Sequence, residues 1–268
     1  CPMAILLTND DGVEAPGLAA LAEALAGLDD LVISAPAENQ SGVGMGISIR
    51  RSLKAGRLSD GPGGAPRPFL DGTPADVVKY ALGFIFRDRP PRLVVSGINH
   101  GPNLGRNVRC SGTVGAAFEA LASGIPALAV SVGYTIPPKW EGAKRYARKM
   151  AERMLARADK EPGPAFLINL NVPSLEPEKI RGLVAARHGN GGFLDSLAPG
   201  PDGDSFVLGG EWLSTPLESG CDAAAFGAEY AVMTPFRLEM THDRLLDDLR
   251  RDWRDDLTPL PAEGGKTA

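Results

Sequence analysis

Asp10 and Asp11 are the pair whose type and spacing most directly invite chemistry. They stand between Asn9 and Gly12, just after the apolar run Ile5-Leu6-Leu7. Two adjacent carboxylates repel each other unless a cation or a shared proton sits between them. Asn-Asp-Gly is also ordinary turn chemistry, so this stretch alone reads equally well as a turn or as half of a metal site. Two other polar blocks follow short apolar runs in the same way. Ser41 lies in a loop with three closely spaced glycines (residues 36–46), and Asn99 lies in Ser96-Gly-Ile-Asn-His-Gly-Pro-Asn-Leu-Gly105. Taken together, the two carboxylates, the Ser41 hydroxyl and the Asn99 amide form an all-oxygen donor set with no obligatory thiolate or imidazole. Such a set suits Mg²⁺, Mn²⁺ or Ca²⁺ better than Zn²⁺. Mg²⁺ usually keeps several waters, and one of them can act as a nucleophile.

A second block is built for an anion. Ser111-Gly112-Thr113 falls where a helix should open, offering free N–H groups, two hydroxyls and the positive helix end. The same three residues also read as an ordinary helix cap. Asn103 and Gly105, just upstream, either extend the cradle or serve as turn residues.

These groups meet only if the chain carries them to one edge of a sheet. Residues 5–7 have the length and continuity of a strand buried on both faces. Leu18, Leu21, Leu25 and Leu28 recur at helical spacing, predicting a helix over 16–28, and residues 31–35 read as a second strand. Residues 47–53 alternate as a strand or hairpin arm, and 59–68 form a Gly/Pro-rich loop. Thr73-Pro74 starts a helix running through 86. Strands follow at 93–95, 126–132 and 166–172, with helices at 111–122 and 139–158. In a parallel sheet the strand C-termini share one edge, where open α/β folds bind ligands. Beyond Pro173 the character changes: residues 187–204 are glycine-rich, 206–208 and 229–234 read as short strands or hairpin arms, and 242–253 as a polar helix. We therefore expect an α/β core over residues 1–185. Residues 186–268 form a β-rich extension that packs on the core, continuously with it or exchanged between subunits.

Bulk composition sets limits on function. Of 268 residues, 43% are hydrophobic and 23% charged, enough apolar material for a sizeable core. The net charge of −5 argues against a nucleic-acid polymer as partner. It leaves room for an anionic small molecule, because a bound cation reverses the local sign. The three cysteines are widely separated and lack a Cys-x-x-Cys pair, which fits a reducing cytoplasm. No apolar run approaches the roughly 20 residues of a membrane span, and no leader pattern precedes the first strand.

Four blocks, in order, resemble the SurE survival-protein nucleotidases: Thr8-Asn-Asp-Asp-Gly12, Pro36-Ala-Glu-Asn-Gln-Ser-Gly42, Ser96-Gly-Ile-Asn99 with Gly101, Asn103 and Gly105, and Ser111-Gly-Thr-Val114. Ala231-Val-Met-Thr-Pro-Phe236 is similar to that family's closing strand. The resemblance implies a three-layer α/β/α sandwich with a Rossmann-like core and a mixed, mainly parallel sheet. It also implies a divalent-metal-dependent phosphomonoesterase acting on nucleoside 5′- and 3′-monophosphates through a metal-activated water. Carried over, the metal ligands are Asp10, Asp11, Ser41 and Asn99, one cation per subunit, with Asp10, Asp11 and Asn99 catalytic. Asn9, Gly42, Asn103, Ser111, Gly112 and Thr113 hold or approach the phosphate. The family's C-terminal extensions exchange between subunits in homodimers or homotetramers. Cys110 stands where the family pattern usually has an aromatic residue, which bears on nucleoside packing and leaves the ligand set untouched.

Competing readings remain open at this level. His100 sits beside Asn99 and reads either as a proton donor to the leaving group or as a solvent-facing loop residue. His188 and His242 have no partner acids at metal-site spacing. A haloacid-dehalogenase-type phosphatase also places aspartates after its first strand, but spaces them Asp-x-Asp, whereas here they are adjacent. A metal-dependent nucleotide sensor would use the same pocket without turnover.

Overall fold

The computed structural model describes residues 4–58, 67–160, 163–212, 219–254, 256 and 258. The Gly/Pro-rich loop expected at 59–68 lies outside these for residues 59–66. The first strand, β1 (Ala4–Thr8), is buried from Ile5 onward. Helix α1 (Pro16–Leu25) follows, with proline in its first turn, and ends three residues earlier than leucine spacing implied. Strand β2 (Asp30–Ile33) returns parallel to β1, and the chain then leaves the sheet. Ala35–Pro36 (β3) pairs instead in a small second sheet with β4 (Ala55–Leu58) and β5 (Arg67–Leu70). Residues 47–53 do not form the expected strand. The Ser48 N–H is taken by the Asp76 carboxylate at 2.9 Å, and Arg50 adopts φ 58°, a left-handed conformation that no strand tolerates.

Helix α2 (Pro74–Tyr80) opens with a complete capping box between Thr73 and Asp76 and passes into a π turn, Ala81–Ile85. Burial works against ionisation of Asp76, but the Ser48 and Thr73 hydrogen bonds outweigh it and hold its carboxyl below the usual range. Strand β6 (Leu93–His100) is longer than its apolar run. A register shift against β7 (Ala127–Val132), between Ser96 and Asn99, lets pairing resume at Asn99 and His100. Helices α3 (Gly112–Ala122) and α4 (Trp140–Lys160) and strand β8 (Leu167–Val172) complete the expected core.

The later chain re-enters that core. Strand β12 (Ala231–Phe236) lies antiparallel to β8 and parallel to β9 (Leu183–Ala185), so the segment read as a hairpin arm is an interior strand of the main sheet. The seven-stranded order is β2-β1-β6-β7-β8-β12-β9. Within the glycine-rich stretch, β10 (Phe193–Pro199) pairs with β11 (Phe206–Trp212) as a separate hairpin. A short helix, α5 (Asp222–Gly227), precedes β12. Helices α1 and α4 cover one face of the sheet, with Leu18, Leu21, Tyr146 and Met150 packed against Ile5, Leu7 and Val95. Helices α2 and α3 cover the other, with Val78, Val114 and Ala117 against Leu6 and Val94. The expected three-layer α/β/α sandwich with a mixed, mainly parallel sheet is therefore what the chain adopts. Residues up to Phe236 form one compact unit, and Arg237 onward a second. The latter contains α6 (Asp243–Asp252), whose first turn is capped by the His242 ring accepting the Leu245 N–H.

Candidate active site

The site starts where β1 stops. Asn9 is fully buried and its side chain closes the turn: the amide donates to the Gly12 carbonyl at 2.9 Å and accepts the Gly12 N–H at 3.2 Å. That ring projects the two aspartates differently. Asp10 is buried and turns toward the start of α3, where its carboxylate accepts the Thr113 hydroxyl. The backbone N–H groups of Thr113 and Gly112 favour its charge as well, but burial outweighs them and raises its pKa. Gly112 permits this approach, since a Cβ there would lie 2.7 Å from the Asp10 Cβ. Asp11 is half-buried and is pushed up to about 6, by burial first and by the charge of Asp10 second. The His100 side chain and backbone N–H act in the opposite direction.

The other strand ends close on this pair. The Gln40 N–H donates to the Asp10 carbonyl at 2.7 Å, and the Asn39 amide to Asp11 at 3.4 Å. Asn39 also accepts the Ser41 N–H at 2.9 Å, so Ser41 sits on an exposed turn beside the aspartates. The Ser41 hydroxyl donates to nothing among the described residues. Gly42 is exposed, with open space above it. Asn99 lies in the resumed part of β6, next to His100, whose backbone N–H favours the charge on Asp11; its amide nitrogen donates to the Gly101 carbonyl at 2.7 Å. Its amide oxygen meets no donor among the described residues. The Asp10–Asp11 turn is thus bonded to the loop that carries Ser41, and the end of β6 that carries Asn99 and His100 lies beside it.

Ser111 caps α3, its hydroxyl oxygen accepting the Val114 N–H at 3.1 Å. The positive end of α3 is directed first at Asp10, through Gly112 and Thr113. Asn103 faces inward instead: its amide donates to Ser131 at 2.8 Å, and its backbone is gripped by Asn169 and Asn171. His100 is half-buried, stacked on Tyr134 at 4.6 Å and donating from Nε2 to the Thr135 carbonyl at 2.9 Å, so it is not a solvent-facing residue.

Does this corner fit a cation? Among the described residues no group of three or more His, Cys, Asp or Glu side chains could hold a metal. A cation here therefore draws on amide and hydroxyl oxygens beside the two carboxylates. That set is hard, anionic and short of compensating charge, which fits a hard divalent cation. The turn reading and the metal reading of Asn9–Gly12 are then compatible, with Asn9 making the turn and Asp10 and Asp11 using it.

Residues 5–193 match the family model described as Survival protein SurE. The chain belongs to the SurE family. Within it, the chain is similar to the 5′-nucleotidase SurE of Chloroflexus aggregans, 41% identical over 94% of this chain and 100% of that protein. It is similar also to the 5′-nucleotidase SurE of Carboxydothermus hydrogenoformans, at 37% identity over 92% and 95%. The crystal structure of the SurE protein from Aquifex aeolicus superposes with a TM-score of 0.79, at 31% identity, over 93% of this chain and 99% of that one. No helix among the described residues is long and apolar enough to cross a membrane.

Two contributors escaped the sequence reading. Asp222 and His188 both reach Gly105 from the far end of the chain. His188 reads in sequence as a histidine without metal partners, and neither residue carries a local signal of that contact.

Proposed function

We infer that this chain hydrolyses nucleoside 5′- and 3′-monophosphates to nucleoside and inorganic phosphate, using one divalent cation per subunit, Mg²⁺ or Mn²⁺. The observation that carries this reading is the turn after β1, where Asp10 is bonded to the start of α3, Asp11 is bonded to the loop that carries Ser41, and burial raises both carboxyls above their ordinary value. Asp10, Asp11, Ser41 and Asn99 would hold the cation. When bound, a divalent cation supplies positive charge and Lewis acidity to phosphoryl oxygens. Thr113 and Gly112 serve the reaction by holding Asp10 in place. The Ser111 hydroxyl faces the phosphoryl group as a donor, and the open backbone at Gly42 leaves room for it to approach. Asn9 shapes the turn, and Asn103 anchors the loop joining Asn99 to Ser111. Water attacks phosphorus in line with the departing nucleoside oxygen. The adjacency of the two aspartates favours this reading over an aspartyl-phosphate.

We further propose a homodimer or homotetramer formed through the region beyond residue 186. Its β10–β11 hairpin leaves Leu197, Phe206, Val207 and Leu208 exposed, a surface that a second copy would cover. Cys110 and Cys221 are free thiols, in keeping with a cytoplasmic setting.

The test is phosphate release across nucleoside 5′- and 3′-monophosphates, with EDTA and with added Mg²⁺, Mn²⁺ or Ca²⁺. Cation-dependent release is the expected result. Binding without release under every condition would leave only a sensor, and a trapped phosphoenzyme would favour the aspartyl-phosphate route.

A further inference from the structure

Asp222 is the most buried carboxylate that the site described above leaves unused. It is fully shielded from solvent, and no cation pairs with it among the described residues. Its charge is met by backbone N–H groups: one oxygen accepts Gly105 at 2.9 Å, and the other accepts Gly189 at 3.0 Å and Ala223 at 2.8 Å. A buried carboxylate is costly, and backbone N–H donors are among the few partners that sustain it. Here they come from three separate stretches of chain.

Gly105 is the point at which they converge. Its φ is +48°, and a Cβ there would lie 1.9 Å from the Gly191 carbonyl oxygen, so only glycine lets the two segments touch. The His188 ring donates from Nε2 to the Gly105 carbonyl at 2.7 Å, and the next N–H, Arg106, donates to Gly191 at 2.8 Å. Two residues upstream, Asn169 and Asn171 fix Asn103 through its N–H and carbonyl. The loop held in this way has Asn99 before it. After it comes a 3₁₀ turn, Gly105–Cys110, leading directly to Ser111 and α3. It is the covalent link between the cation half and the phosphate half of the site.

We propose that Asp222, seconded by His188, is a positioning residue for phosphomonoester hydrolysis: it fixes Gly105 so that Asn99 and Ser111 stand at a set separation. This rests on the nucleotidase reading of the site. Neither residue touches substrate; both act through the loop.

Asp222→Asn keeps the shape but can no longer accept at both oxygens, so one side turns a donor toward a donor. Misplacing reacting groups by about 1 Å can cost on the order of 100-fold in rate. For Asp222→Asn we expect kcat to fall roughly 10- to 100-fold, with the inhibition constant for inorganic phosphate raised several-fold. The comparison is made on protein shown to be folded by circular dichroism. His188→Ala, which removes a partly exposed partner and leaves the buried carboxylate in place, should show the same two changes at smaller size, and His188→Gln should restore part of them. A lowered melting temperature with wild-type kcat and phosphate inhibition would overturn the proposal, since it would make Asp222 purely structural. If Asp222→Asn does not fold, His188→Ala decides: altered phosphate inhibition supports the clamp and unaltered inhibition refutes it. Absence of turnover in the wild type would instead overturn the nucleotidase reading. Calorimetric binding of inorganic phosphate to wild type and His188→Ala then tests the clamp separately, with equal affinities counting against it.

Discussion

Two polar clusters lie on either side of the Gly101–Gly105 loop, and they differ in how their hydrogen bonds are spent. Around Asn103, Asn171 and Asp222, buried polar groups are paired at 2.7–3.1 Å, the Asn169 side-chain oxygen being the exception. Around Asp10, Asp11 and Asn99, the carboxylates are raised by burial and repulsion, and the Asn99 oxygen is left without a donor among the described residues. Both clusters are built from the same residue types. Satisfied groups make scaffold, because an unmade buried hydrogen bond costs more than a made one gains. Groups left with surplus negative charge make a binding site, because a cation completes them.

Asp10→Asn is the largest blow to this contrast. Cation-dependent turnover should fall by orders of magnitude while the melting temperature without metal stays equal to or above that of the wild type, since a repelling charge is removed. Near-normal turnover at saturating Mg²⁺ or Mn²⁺ would place the ligand set elsewhere. Asn171→Ala should do the reverse in stability, stripping both a donor and an acceptor from the Asn103 backbone. A loss of roughly 2 kcal/mol in denaturant unfolding is expected, and a change below about 0.5 kcal/mol would mean that this network is not scaffold. The pH dependence sharpens the contrast with a smaller effect. Asp11 is raised from 3.8 to about 6 in the folded chain, so between those values the native state binds more protons than the unfolded one. The Asp11 contribution to metal-free stability should therefore decline as pH rises through that window, and its penalty is complete above it. Cation affinity should move oppositely, rising with pH as Asp11 loses its proton. In Asp11→Asn the stability decline should shrink; an unchanged profile would assign it to other groups.

Much of the α/β core was readable because its signals are local. The apolar run 5–7, the leucine spacing in α1 and the proline start of α2 each lie within one element. The aspartate pair was equally local, and its meaning came from two other strand ends in the same order. What escaped depends on distant partners. Residues 47–53 alternate like a strand, but Asp76 holds Ser48 from 28 positions away. The end of β6 is strand only because β7 accepts it after a register shift. β12 reads as an arm until β8 and β9 pair with it on both sides. Asp222 acts on Gly105 across 117 positions, and no spacing rule reaches that far. The α3 start reads as a seat for an anion, and one carboxylate that it meets is Asp10 of the same chain. The Thr113 hydroxyl is donated to Asp10, a contact that no local pattern announces.

The central claim is that one divalent cation at the β1–β6 corner is required for phosphate release. The most direct measurement titrates Mn²⁺ into metal-free protein, following bound ion by electron paramagnetic resonance and phosphate release from a nucleoside monophosphate in the same samples. The account predicts one bound Mn²⁺ per chain, with turnover rising in proportion to occupancy and both signals lost in Asp10→Asn. Turnover that persists without bound metal, or Mn²⁺ binding unchanged in Asp10→Asn, would contradict it.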